Sequence, residues 1–267
     1  METPAKTPPA WRGVASSLGA AAAVMGVVAA LIGGLSIAAL QRTAASATAP
    51  LPVAMPAVED EPSPTDATTP NSLPSSVVVL PIQRIDPTWA QRVATQTGIP
   101  PRALLAYASA SVLVGAEESS CGLSWNTLAG IGLVESGHAS HGGAHLLESG
   151  QTDRPIRGPA LNGHGLAAIP DSDDGVWDGD SRWDRAVGPM QFIPGTWRKW
   201  GADGNSDGKA DPNQIDDAAL AAARYLCASG SMRTGSGWRA AVYSYNHSDA
   251  YVDKIAAVAN QYAAEAG

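Results

Sequence analysis

Seven prolines fall between Pro50 and Pro74, and they decide which part of this chain can fold. Proline fixes φ and lacks an amide donor, so neither a regular helix nor a central strand fits there. The surrounding segment 41–84 is rich in Ala, Pro, Thr and Ser, carries an acidic patch at Glu59-Asp60-Glu61, and reads as a disordered linker. Extended at about 3.1 Å per residue, some forty residues of this kind reach on the order of 120 Å. The folded domain is therefore expected over 85–267. The chain as a whole is 45% hydrophobic and 16% charged, which is enough apolar material for a core.

Upstream of the linker, Val14 to Leu40 carries no charge and is rich in Ala, Val, Gly and Leu. That length can cross a bilayer. Lys6 and Arg12 precede it, so residues 1–13 are expected in the cytoplasm and 14–40 as a transmembrane signal anchor. The alternative is a long signal peptide cut after Ala45-Ser46-Ala47. Either way the remainder is expected to be exported, anchored to the membrane or released from it. Two cysteines far apart in an exported domain, Cys121 and Cys227, most simply form one disulfide. A net charge of −8 with a pI near 5.0, and no basic stripe, argues against a nucleic-acid partner.

Within the domain the start and stop signals are strong. Asp86-Pro87 opens a helix that Gly98 ends, and Pro100-Pro101 opens a second, running to about Val114. Ser124 caps a third that ends at Gly137. Residues 142–186, rich in glycine and aspartate, read as ordered loop, and further helices are expected at 195–201, 215–228, 237–245 and 249–265. Little of the sequence alternates with period two. The fold class is mainly α.

The third helix holds the residue with the most chemistry in it. Glu135 shares a stripe with Ile131, Leu128 and Trp125, all apolar, so its side chain is expected to point inward. Burial disfavours a charged carboxylate and raises its pKa. A carboxylic acid still protonated near neutral pH is what a glycosidase uses as its general acid. The alternative is a helix-terminal glutamate turned to solvent.

Three segments occur in order: Glu135-Ser136-Gly137, Gly188-Pro189-Met190-Gln191-Phe192 and Tyr243-Ser244-Tyr245-Asn246. With Cys121, Asp184-Arg185-Ala186-Val187, Asp216-Asp217 and Tyr225-Leu226-Cys227, this set resembles the lysozyme-like lytic transglycosylases over about 97–265. It is most similar to the membrane-bound lytic murein transglycosylase B type in its actinobacterial form. The resemblance implies a lysozyme-like, goose-type-lysozyme-like domain with long ordered loops, acting on peptidoglycan glycan strands. It implies that Glu135 is the single catalytic acid and then base, cleaving the MurNAc–GlcNAc bond with formation of a 1,6-anhydro ring. It also implies that Met190, Gln191 and Phe192 line the substrate cleft, and that Tyr245 and Asn246 hold the acetamido group and help to position Glu135. For Tyr243, helix packing is the preferred reading. Ser136 either bonds the Glu135 carboxylate or caps a turn.

Asp203-Gly204-Asn205-Ser206-Asp207-Gly208-Lys209-Ala210-Asp211 matches the first nine positions of an EF-hand calcium loop. Asp203, Asn205, Asp207, the Lys209 carbonyl and Asp211 take ligand positions for a structural Ca2+. Gln214 stands where a bidentate glutamate belongs, with Asp216 or Asp217 as substitutes in a longer loop. The alternative is an Asx-rich turn without metal. No cofactor is expected for catalysis. Asp171, Asp173, Asp174, Asp178 and Asp180 read as a solvated acidic loop. Three other functions compete: a zinc hydrolase using His138, His141 and His145, which glycines keep off one helical face; a water-using muramidase helped by Asp173 or Asp180; and a non-catalytic wall-binding protein.

Overall fold

The computed structural model describes residues 85–267. The segments expected as a cytoplasmic N-terminus (1–13), a signal anchor (14–40) and a linker (41–84) lie outside the described residues. Among the described residues, no helix is long and apolar enough to cross a membrane.

Seven α-helices and no strands make up the described chain: α1 Pro87–Thr97, α2 Pro101–Glu117, α3 Trp125–Ser136, α4 Pro194–Trp200, α5 Ile215–Cys227, α6 Gly235–Asn246 and α7 Asp249–Ala266. The ends follow local chemistry. Asp86 accepts the Thr88 amide at 2.8 Å, with proline at the first position of α1, and Gly98 closes that helix in the left-handed conformation. The helix α2 continues to Glu117, past the expected end at Val114. Ser124 occupies the N-cap of α3, but its hydroxyl donates to the Asn126 side chain instead of capping an amide.

The helix α3 runs through the middle of the domain, packed against α2, α5 and α7. Every residue of it except Leu133 is buried, as expected for a helix apolar on all sides. Two glycines permit this. Gly130 lets the backbone of α7 come close at Ile255 and Ala259, and Gly132 leaves room for the Tyr107 ring of α2. Asn126 fixes the register against α7 by donating to the Ala259 carbonyl at 2.9 Å.

Between α3 and α4 the chain forms turns joined by isolated bridges, folded around carboxylates. In the expected solvated acidic loop Asp174 is exposed, Asp171, Asp173 and Asp180 are half-buried and Asp178 is buried, and all but Asp174 accept amides of the loop itself. Asp184 is fully buried and accepts the Ser172 amide and hydroxyl at 2.8 and 2.7 Å. Asp178 is buried and accepts the amides of Asp180 and Arg185. Asp180 pairs with Arg185 at 2.9 Å. Short loops of this kind leave amides without partners, and aspartate supplies acceptors at close range.

Cys121 and Cys227 form a disulfide across a sequence separation of 106, tying the approach to α3 to the end of α5. Closing so long a loop is worth about 4–5 kcal/mol in the chain-entropy treatment. Replacing both cysteines by serine is expected to cut the unfolding free energy by that order in denaturant titrations. An unchanged midpoint would show that the crosslink adds nothing to the packed core.

Candidate active site

Glu135 lies one residue before the end of α3 and is 4% exposed. Its position follows from the stripe: Trp125, Leu128 and Ile131 are all fully buried. The Tyr251 hydroxyl, from the first turn of α7, donates to Glu135 Oε1 at 2.6 Å. Burial pushes the Glu135 carboxyl up to about 7, against the opposing effects of the Tyr251 bond and the Lys254 charge. Such a group holds its proton through mildly acidic conditions and can release and regain it near neutrality.

The chain beyond Glu135 is held in strained backbone. Gly137 is left-handed, and His138 and Ala139 also have positive φ, which costs energy for residues with a Cβ. The His138 ring is buried between Tyr107 of α2, at 3.2 Å, and Tyr262 of α7, at 2.9 Å. Burial lowers its pKa to about 4, so the ring is neutral and lends Glu135 no charge.

Of the two readings for Ser136, the structure has the turn cap. Its hydroxyl accepts the Ala139 amide at 2.8 Å and donates to the Pro189 carbonyl at 2.6 Å. That second bond brings the Gly188–Phe192 turn against the end of α3. The turn closes on itself through two bonds between Val187 and Phe192, at 2.8 and 3.0 Å. Gly188 has φ +76, and a Cβ there would overlap the Pro212 carbonyl. Gln191 also has positive φ, is 5% exposed, and donates its side-chain amide to the Gly188 carbonyl at 2.9 Å. Met190 and Phe192 are fully buried.

Tyr245 is buried in α6, edge-on to Phe192 and Tyr225, and donates to the Met190 carbonyl at 2.8 Å. Asn246 is buried at the end of the same helix. Tyr243, expected to pack within the domain, is instead 41% exposed and rests on the His247 ring. Helical positions two apart point to different sides, and Tyr245 has taken the inward one.

The three histidines of the competing zinc reading do not converge, as the glycines between them imply. His138 is enclosed by two tyrosines, His141 lies in a short 3-10 turn, and the exposed His145 pairs with Asp153 at 3.2 Å. The two carboxylates considered as helpers for water also have other work. Asp173 accepts the Gly175 and Trp177 amides, and Asp180 holds Arg185 and two further amides.

Carboxylate oxygens of Asp171, Asp173 and Asp184 lie within 4.8 Å of one another, but they serve the amides and hydroxyl of their own loop. In the 203–211 loop, Asp203 accepts the Asp207 and Gly208 amides, Asn205 accepts the Asp207 amide, and Asp207 accepts the Lys209 amide. Asp211 faces Gln151 and Asn213. Gln214 caps α5, accepting the Asp216 and Asp217 amides. Of the two possible substitutes, Asp216 turns away to Arg102 while Asp217 turns into the loop, accepting the amides of Gly204, Asn205 and Asp211 at 2.7, 3.3 and 2.9 Å. Burial, reinforced by the Asp203 charge, raises Asp217 to about 6 against those amide bonds.

The site is thus a buried protonatable acid with a tyrosine donor and a strained turn beside it. Residues 174–243 match the family described as Transglycosylase SLT domain. No curated protein and no solved structure matches the chain. The matched segment contains the Gly188–Phe192 turn and most of α6, whereas Glu135 precedes it and Tyr251 follows it.

A carboxyl raised from 4.5 to about 7 favours the folded state fully below 4.5, and that contribution is lost as pH rises through 7. Glu135→Gln removes the buried charge. The variant is expected to be more stable than wild type by about 2–3 kcal/mol at pH 8, with the gap closing by pH 5. Equal stability at both pH values in chemical denaturation would show that Glu135 is not desolvated.

Proposed function

We infer that the domain is an exported peptidoglycan lytic transglycosylase, held at the membrane by its N-terminal apolar run. The observation that carries this reading is Glu135, a carboxyl raised to about 7 by burial and held by the Tyr251 hydroxyl. In its protonated form it gives its proton to the glycosidic oxygen of the MurNAc–GlcNAc bond as the bond to C1 breaks. The resulting carboxylate then takes the proton of the muramyl C6 hydroxyl, whose oxygen closes on C1 to form the 1,6-anhydro ring. Proton and charge balance with no added water. Because the nucleophile belongs to the substrate, its effective concentration is high without a second enzyme carboxylate. The 2-acetamido oxygen can support positive charge at C1, as in substrate-assisted glycosidases.

The commitment of Asp173 and Asp180 to their own loop favours this route over hydrolysis, since neither is left over to activate water. In this reading Gln191, Tyr245 and Asn246 shape the site around the sugar, with Met190 and Phe192 as its floor. Ser136 contributes by holding the turn.

Digestion of purified peptidoglycan, followed by mass spectrometry, is expected to give anhydro-muropeptides. Products heavier by one water would replace the transglycosylase with a muramidase. Glu135→Gln is expected to lower turnover by about 10²–10⁴-fold or more while the fold is retained. Cleavage at wild-type rate by that variant would sink the mechanism.

A structural Ca2+ belongs to the same reading. Asp203, Asn205, Asp207, the Lys209 carbonyl and Asp211 would hold it, with Asp217 in place of the bidentate residue that Gln214 cannot supply. Its role would be to rigidify the loop, with no part in the chemistry. Ca2+ is expected to raise the thermal midpoint of the chelator-treated protein by several degrees, and Asp203→Asn to remove the effect. No shift in the wild-type protein would favour the metal-free turn.

A further inference from the structure

A chain of close contacts runs from the 203–217 segment to the catalytic end of α3. Asp217 projects from the first turn of α5, is 1% exposed, and gathers three loop amides onto one carboxylate. Asp211, held by one of those bonds, in turn accepts the Asn213 amide at 2.8 Å and the Asn213 side-chain amide at 3.2 Å. Pro212 between them is buried, and its carbonyl sits so close to the Cα of Gly188 that no Cβ fits. Gly188 opens the turn whose Pro189 carbonyl accepts the Ser136 hydroxyl and whose Met190 carbonyl accepts the Tyr245 hydroxyl. Ser136 is the neighbour of Glu135. Packed protein interiors transmit small displacements instead of absorbing them, so each of these contacts can pass a shift to the next.

We propose that Asp217 is a distal positioning residue for the Glu135 site: it folds the 203–211 loop about its carboxylate, seats Pro212 against Gly188, and so places the turn that braces Ser136 and Tyr245. The segment thereby becomes a control point for cleavage. Anything that orders or loosens the loop moves the turn beneath the sugar, with no contact of its own to substrate. Only the cleavage part of the test rests on the reading of Glu135 as the reacting acid.

Hydrogen exchange read by mass spectrometry tests the link directly. The amides of Val187, Gly188 and Phe192 are bonded to Phe192, Ile156 and Val187 carbonyls, so the turn has measurable protection. Asp217→Asn is expected to speed exchange across 187–192 by about tenfold or more, alongside the loop itself. Tyr262→Phe, which loses the His138 bond at the far side of α3, serves as a destabilised reference and is expected to leave 187–192 unchanged.

In glycan cleavage, Asp217→Asn is expected to lower kcat with little change in KM. On a Ser136→Ala background, where the last contact is already cut, it should add little further loss. Should Asp217→Asn fail to fold, Pro212→Ala frees the fixed φ that presents the carbonyl to Gly188 and is expected to act in the same direction. Opening of 203–211 without change at 187–192 would overturn the proposal, as would full additivity with Ser136→Ala. If the wild-type protein cleaves no glycan, the function fails on its own, and the exchange measurement still decides the link.

Discussion

The Tyr251 hydroxyl donates to a carboxyl that the fold has otherwise stripped of water, and most of the surrounding architecture bears on that contact. A carboxyl buried against a cation would ionise. One buried with no partner would be costly and disordered. The neutral Tyr251 hydroxyl holds the group in place without adding a charge. To bring that donor within reach, α7 must lie almost against α3, which explains the glycine at position 130 and the Asn126 bond to the Ala259 carbonyl.

The same low-polarity interior acts on Glu135 and His138 in opposite senses. The acid is raised to about 7 and the imidazole lowered to about 4, because burial disfavours charge of either sign. Three residues apart in sequence, both are neutral over the mildly acidic range. Burial outweighs the Lys254 charge at Glu135 and leaves both groups uncharged there. The tyrosines nearby follow the same rule, with Tyr245 and Tyr251 held well above the ordinary phenol range.

Much of the fold was legible because helix boundaries are written in local chemistry. Asp86-Pro87, Gly98, Pro101 and Gly137 act through φ preferences and amide capping that depend on immediate neighbours. The inward stripe under Glu135 was legible for the same reason, since helical spacing alone fixes it. What escaped reading depends on which long-range neighbour a side chain finds. Tyr251 is an ordinary aromatic near the start of the last helix until α3 is set beside it. The destination of Ser136 was undecidable without the turn more than fifty residues away. The aspartates of the 171–184 loop looked solvated because composition cannot show amides converging on them. Asp216 and Asp217 are adjacent in sequence, yet one meets Arg102 and the other the calcium-like loop.

The disulfide adds a topological property to the molecule. Cys121 and Cys227 close a covalent ring that contains Glu135, Ser136, the whole irregular segment after α3 and the Gly188–Phe192 turn, while Asn246 and Tyr251 lie beyond it. A protease that cut once inside the ring, for instance near the exposed residues around His164, would therefore not release the acid from its turn. Both ends of the cut chain stay tied through the sulfur bridge, and the hydrogen bond between Ser136 and Pro189 stays within one covalent object. Chain continuity and integrity of the site are thereby separate properties.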